Sequence, residues 1–301
     1  MFDRPKLKKE AKAKLKGNYV TMLAAAFVIS GLSVLINYST MHFTNSGAIR
    51  TLLIIFSTIV TAVLSYAYAF FCVKTSKSSE PAKFSDFTEG VSHLRPAILG
   101  YLWRGLFLIL WALAVFIPGI FIIGIYLAGT VLKGLDFNNM EQYLENMFSD
   151  FGSMLNCATS AAGTLLVAVL IYFILVVLLS IVLIIKSIQY SQMQFILSEN
   201  PGMSVRRAMR LSIEYTKGNK GNLFVLSLSF IGWILLAMIP AFIFPHLDIT
   251  PVWAGRQVIV NVYTICFTFL VPYITLTYAY AYHHIKQEAF ETGRVKEENL
   301  Q

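Results

Sequence analysis

The chain is poor in charge. Asp, Glu, Lys and Arg make up 13% of its 301 residues, about half the share found in soluble domains. The two soluble domains that this length would otherwise suggest are therefore excluded. Cysteine is scarce as well. Cys72, Cys157 and Cys266 lie far apart, are odd in number, and have no His or Cys at ligand spacing. They support neither a disulfide framework nor a zinc site. His-Glu-x-x-His, Gly-x-Ser-x-Gly and phosphate-loop sequences are all absent, so no enzymatic activity, metal or cofactor is expected. What the chain has in excess is apolar. Hydrophobic residues reach 56%, the mean hydropathy is +0.65, and the apolar runs are longer than a soluble core needs. The class is all-α, a polytopic membrane helical bundle.

A span takes about 20 apolar residues, because the helix rises 1.5 Å per residue across roughly 30 Å of hydrocarbon. Six segments qualify: Tyr19–Ile36, Thr51–Phe71, part of the run Ala97–Leu132, Gly163 to beyond Ile185, Leu223–Phe244, and Val258–Tyr282. Placing both termini inside puts 21 of the 24 Lys and Arg on the cytoplasmic side. Only Arg50, Lys133 and Arg256 fall outside, and this bias sets an N-in, C-in orientation. The first span has a basic leader, but its alanines lie within the apolar run rather than after it, so it reads as a retained helix and not a cleaved signal. The resulting organisation is a basic interfacial helix over 1–18, a six-span domain over 19–285, and a cytoplasmic tail over 286–301.

Two helices strain this count. The run Ala97–Leu132 contains Pro118-Gly119, read as a kink or a break. A hairpin there would invert the downstream charges. Helical sequence also continues from Gly163 through Lys186 to Leu197, longer than a bilayer is thick.

Outside the spans, Lys6–Lys16 carries six lysines around a stripe of Leu7, Ala11 and Leu15, ended by Gly17-Asn18. Gly is expected there for its tolerance of positive φ. A second basic helix begins near Ser204 with Arg206, Arg207 and Arg210 on one side, and Arg210 and Glu214 spaced to pair. It too ends in Lys-Gly-Asn, at 217–219. The repeat reads more simply as one turning problem solved twice than as duplication. Basic stretches beside spans, lacking an aromatic platform, point to lipid phosphates rather than nucleic acid. The expected partners are therefore the bilayer, anionic inner-leaflet lipids through Lys8, Lys9, Lys12, Lys16, Arg206, Arg207 and Arg210, and a membrane-protein partner. The acidic outer segment Gly134–Ser160 has amphipathic spacing but no Asp-x-Asp-x-Asp-Gly calcium loop.

Several blocks stand out along the chain. They are Lys16-Gly17-Asn18-Tyr19; Phe84, Phe87 and Gly90; Leu110-Trp111 with Ile117-Pro118-Gly119; Ile185-Lys186 with Tyr190-Ser191; Pro201 through Ala208-Met209; and Lys217-Gly218-Asn219-Lys220. Leu226 through Phe230-Ile231-Gly232-Trp233 and Pro272-Tyr273 complete the set. Together they resemble an uncharacterised bacterial membrane-protein family catalogued as domain of unknown function 975. The resemblance covers nearly the whole chain and implies a bacterial cytoplasmic membrane, with no activity, substrate or cofactor attached. The chain departs from the family pattern in having some 65 residues between Pro118 and Lys186.

Ionisable residues at membrane depth are expensive and are kept for function. Spans one, two, five and six have none in their cores. His283-His284 point about 100° apart on a helix and cannot share a metal on one face. The best candidate site is the polar run from Lys186 to Gln194. In one reading the helix has left the membrane and these residues are wet. In the other, Lys186, Gln189, Tyr190, Thr268 and Tyr273 line a cavity between the fourth and sixth helices, with the Thr268 carbonyl freed by Pro272. Gly232 beside Trp233 reads as a helix crossing. Two functions follow: a non-catalytic binding protein or scaffold for lipids or membrane partners, or a transporter of a small or lipid-like molecule.

Overall fold

A computed structural model describes residues 2–42, 47–132, 161–243 and 262–295. Among these residues the chain is all-helical. Its elements are α1 (Arg4–Lys16), α2 (Tyr19–His42), α3 (Gly47–Lys77), α4 (Phe84–Ser92), α5 (Leu94–Leu132), α6 (Ala161–Tyr190), α7 (Met193–Glu199), α8 (Val205–Thr216), α9 (Lys220–Leu228), α10 (Ile231–Ile243) and α11 (Val262–Glu291). Among the described residues five stretches are long and apolar enough to cross a membrane: Tyr19–Ile36, Gly47–Lys77, Leu94–Ala114, Lys220–Pro240 and Thr264–Glu291. The expected fourth span falls on α6, which is 30 residues long. The acidic segment 134–160 lies outside the described residues.

The chain divides into two compact units, Met1–Arg104 with Ile188–Gln301, and Gly105–Ser187. The first unit holds the polar architecture. Its α1 starts at Asp3, whose carboxylate accepts from the Lys6 amide at 3.2 Å, an N-cap that satisfies an otherwise orphan donor. Leu7, Ala11 and Leu15 are buried, and α1 packs on α11. The apolar stripe of this basic helix is thus covered by protein rather than offered to a leaflet. Gly90 of α4 comes against the backbone of α3, where an added Cβ would stand 2.8 Å from the Ala67 Cα. Phe87 beside it is 2% exposed.

The two Lys-Gly-Asn triads make different turns. Gly218 takes φ +87°, as a positive-φ stop requires, but Gly17 sits at φ −95°, a conformation open to any residue. The expectation of positive φ at Gly17 is therefore corrected. The asparagines, not the glycines, are the shared device. Asn18 donates to the Lys14 carbonyl at 2.8 Å and accepts from the Ala82 amide at 2.6 Å. Asn219 donates to Glu288 at 2.9 Å and accepts from Asn222 at 2.8 Å. Both are buried.

Two expected continuous helices are interrupted. The first stops at Tyr190, where both the amide and the hydroxyl of Ser191 turn back to the Ile188 carbonyl, at 3.2 and 2.8 Å. A serine that offers its own hydroxyl to the preceding turn competes with the helix ladder. The second interruption separates α9 from α10 at Ser229-Phe230. There the Phe230 amide bonds three residues back to Ser227 at 3.1 Å, and the Ser229 carbonyl accepts from Lys8 Nζ at 3.2 Å. Gly232, expected at a helix crossing, has open space beside it, and Trp233 is 51% exposed. Among the described residues no helix crosses there. Helix α5, by contrast, passes through Pro118-Gly119 without a break in the helix.

In the second unit, α5 and α6 carry exposed Ile109, Phe121, Phe173 and Ile174. Lys186 lies over the Trp111 ring at 4.4 Å from its centroid.

Candidate functional site

A dense polar arrangement in the first unit lies where α3 packs with α7 and α11. Its centre is Glu199, the last residue of α7, with a side chain 6% exposed. Lys77 from the end of α3 and Lys286 from α11 both pair with its carboxylate, and the Tyr282 hydroxyl donates to Oε2 at 2.5 Å. Burial alone would raise this carboxyl. The donors Lys286, Lys77 and Tyr282 outweigh burial and hold it at about 2.

An aromatic wall surrounds the carboxylate. Phe195 stacks on Tyr282 at 5.8 Å, and Tyr215 of α8 approaches the same ring at 6.3 Å. The Tyr215 hydroxyl is buried and has no hydrogen-bond partner among the described residues. Burial first, and then the Glu199 charge, push it up to about 12. Next to this wall, Ser76 gives its proton to the Val73 carbonyl at 2.7 Å and meets His283 Nε2 at 2.8 Å. With its proton committed to a carbonyl, the serine accepts from the imidazole. The pair joins α3 to α11.

The basic residues divide by surroundings. On α1, Lys6, Lys9, Lys12 and Lys16 are exposed. Lys8 is drawn toward protein, donating to the Ser229 carbonyl at 3.2 Å and lying 4.4 Å over the Phe230 ring. Burial lowers its pKa. On α8 the three arginines separate. Arg206 lies over Trp103 at 5.1 Å, whereas Arg207 and Arg210 line a pocket with Arg294. Among the described residues no ion pair joins Arg210 to Glu214, although both line that pocket.

The residues expected around a cavity find separate neighbours. Lys186 is held on Trp111. Gln189 is 7% exposed, its backbone carbonyl accepts from Ser212 at 2.5 Å, and its Oε1 has no partner among the described residues. Tyr190 is 4% exposed. Thr268 shares a hydrogen bond with Ser30 of α2 at 2.7 Å and donates to the Thr264 carbonyl at 2.7 Å. Tyr273 sets its ring edge against Phe230 at 5.6 Å. Gln189, Thr268 and Tyr273 share no hydrogen bond or ring contact with one another. Near Pro272 a side-chain donor does arrive, but one residue later than expected: the Tyr19 hydroxyl reaches the Phe269 carbonyl at 3.2 Å.

Sequence spacing gives no sign of the Glu199 cluster, because Tyr282 and Lys286 lie 83 and 87 residues away. The one available signal is a lone acid closing the apolar stretch Met193–Leu197. Trp111 and Trp103 are likewise visible only once the helices are packed.

Over residues 1–289 the chain matches the family described as Protein of unknown function (DUF975), and it belongs to that family. No curated protein and no solved structure matches it.

Proposed function

We propose that this family member is a six-span, N-in, C-in protein of the bacterial cytoplasmic membrane that binds anionic lipid or a membrane partner without catalysing a reaction. The observation that carries this reading is the arrangement of α1. Its apolar stripe is fixed on α11, while Lys6, Lys9, Lys12 and Lys16 remain exposed on the opposite side. A basic face held rigidly against the bundle keeps its charges together at the headgroup level, where each contributes about 1 kcal/mol toward an anionic leaflet. Arg206 and Arg210 of α8 are exposed as well and add basic charge outside the spans. Large exposed apolar side chains along α2, α3, α5 and α6 support residence in hydrocarbon, since water would oppose a surface of that extent.

Two measurements test this reading. Native mass spectrometry of the full chain in nanodiscs of mixed lipid should retain phosphatidylglycerol over phosphatidylcholine. The fourfold variant Lys6→Gln, Lys9→Gln, Lys12→Gln, Lys16→Gln should lose that preference, and equal retention of both lipids by the wild type would overturn the binding role. On intact cells an impermeant thiol reagent should reach Cys157, and labelling only after lysis would reverse the orientation. Faster movement of labelled lipid between leaflets in protein-containing vesicles would replace the binding role with transport.

A further inference from the structure

Arg207, Arg210, Leu211 and Glu214 follow one another at helical spacing along α8 and line a single pocket of about 480 Å³. Ser204 at the helix N-cap contributes to it, and Arg294 supplies a third guanidinium from beyond α11. Arg294 is held in place on several sides. Its Nε donates to Thr292 at 2.8 Å, its Nη2 to Glu288 at 2.9 Å, and its Nη1 to the Lys217 carbonyl. The two positive-φ glycines make this possible: Gly293 (φ +66°) turns the chain at the end of α11, and Gly218 (φ +87°) turns it beside the Lys217 carbonyl. Three of the five guanidinium N–H groups are used in this bracing, which leaves two for a ligand.

We propose that this pocket binds a hydroxylated phosphate ester. Among the described residues its lining carries three arginines and one acid, Glu214, and Glu288 pairs with one of the three, Arg294, so the balance is positive by one. The planar fork of a guanidinium matches two phosphate oxygens at once, with geometry a lysine cannot reproduce. The volume is too large for phosphate alone and falls in the roughly 300–1,000 Å³ range of small-molecule sites. The remaining polar groups define the rest of the ligand. A carboxylate at Glu214 opposes a second phosphate but accepts a hydrogen bond from a hydroxyl, and Ser204 can donate or accept. A phosphate carrying a short polyol satisfies both ends. That chemistry occurs in a phosphoglycerol lipid headgroup and in a soluble polyol phosphate. The lipid form of the proposal rests on the binding role above.

The test uses the full chain in nanodiscs. In one arm, retention of phosphatidylglycerol is compared with that of phosphatidylserine, which carries the same net charge but no polyol. In the other, glycerol 3-phosphate binding to protein in neutral phosphatidylcholine nanodiscs is measured by calorimetry. The variants are Arg210→Gln, Arg207→Gln with Arg210→Gln, and the fourfold α1 lysine variant. Arg210 is exposed, so its replacement leaves the fold intact even if Arg207→Gln does not. Loss of about fivefold in affinity per arginine is expected, with selectivity for phosphatidylglycerol over phosphatidylserine abolished in the arginine variants and kept in the lysine variant. Binding of glycerol 3-phosphate alone assigns the site to a soluble ester, and selectivity for phosphatidylglycerol alone assigns it to lipid. Neither response, or an arginine effect that does not distinguish the two lipids, overturns the pocket. The lysine variant separates the failures: if it alone loses anionic lipid, the basic-face role stands and the pocket falls.

Discussion

The two ends of α3 carry similar apolar side chains and treat them in opposite ways. From Ile49 to Ile59, Leu52, Ile54, Ile55 and Phe56 are all at least half exposed. From Ala62 to Val73 nearly every side chain is buried, with Ala67, Phe71 and Cys72 at 0%. The difference lies in what surrounds them. The buried end meets α4, α7 and α11 and carries tyrosine hydroxyls that find carbonyls: Tyr66 reaches Leu197 at 2.9 Å and Tyr68 reaches Met22 at 3.2 Å. Among the described residues the side chains of the exposed end bond to their own helix, as when Thr58 donates to the Ile54 carbonyl at 2.8 Å. Hydrophobicity thus says where a helix crosses, and hydrogen-bonding side chains say where it is held.

The strongest way to break this contrast is at Glu199. Glu199→Gln removes the carboxylate that Lys77 and Lys286 share and should destabilise the chain by about 1.5–3 kcal/mol, the worth of a hydrogen bond to a charged group, because both lysines keep access to water. Leu52→Ala at the exposed end should stay within about 0.5 kcal/mol. Thermal unfolding of both variants in the same nanodisc measures the comparison directly, and equal shifts would end it. The pH dependence follows with a definite sign. The Glu199 carboxyl is depressed on folding from its ordinary value of 4.5 to about 2. Its contribution is therefore complete above pH 4.5 and is lost as pH falls through 2. Wild-type unfolding should steepen over that window, and Glu199→Gln should flatten it.

A smaller effect is expected at Gly90, where the packed end brings two backbones together. The Cβ in Gly90→Ala would stand 2.8 Å from the Ala67 Cα and 2.9 Å from its carbonyl oxygen. Backbone cannot yield as a side chain can, so overpacking should cost about 1–3 kcal/mol. Gly100→Ala is the control, because its Cβ meets the flexible Cδ1 of Leu197 at 2.9 Å. A larger loss at Gly100 than at Gly90 would contradict the picture of α4 fixed on α3.

How far this could be read in advance follows from the same contrast. Apolar runs mark helices by composition alone, and α2, α3 and α11 fall on the expected segments. The recurrence of Lys-Gly-Asn marks both turns, and α1 ends where Gly17-Asn18 indicates, but the sequence points to the glycines and not to the asparagines that hold the turns. Holding interactions are pairwise and distant, so they leave no local pattern. Nothing near Glu199 names Lys286, and nothing near Lys8 names the Ser229 carbonyl. The breaks at Ser191 and Ser229 also escape the usual breakers, since neither carries Gly or Pro. In both cases a serine hydroxyl bonds three residues back, to Ile188 at 2.8 Å and to Leu226 at 2.5 Å. For α1 the sequence shows an apolar stripe but not what covers it, and here α11 covers it.

The smallest expected effect is the most informative about the apolar region itself. Ser30 of α2 and Thr268 of α11 share a 2.7 Å hydrogen bond between two candidate membrane-crossing stretches. Interhelical hydroxyl bonds in membranes average about 0.6 kcal/mol, because helices separated in lipid find other partners. Ser30→Ala should lose about that much and no more. Thr268 keeps its own bond to the Thr264 carbonyl at 2.7 Å, so no buried donor is orphaned. Thr268→Val should lose slightly more, since it also deprives Ser30 of its partner inside the bundle, while the added methyl fills the same space. The double variant should equal the larger single one, as expected when one shared interaction accounts for both losses. Additive losses in thermal unfolding would show that the two hydroxyls act through different neighbours, and that α2 and α11 are held by packing alone at this level.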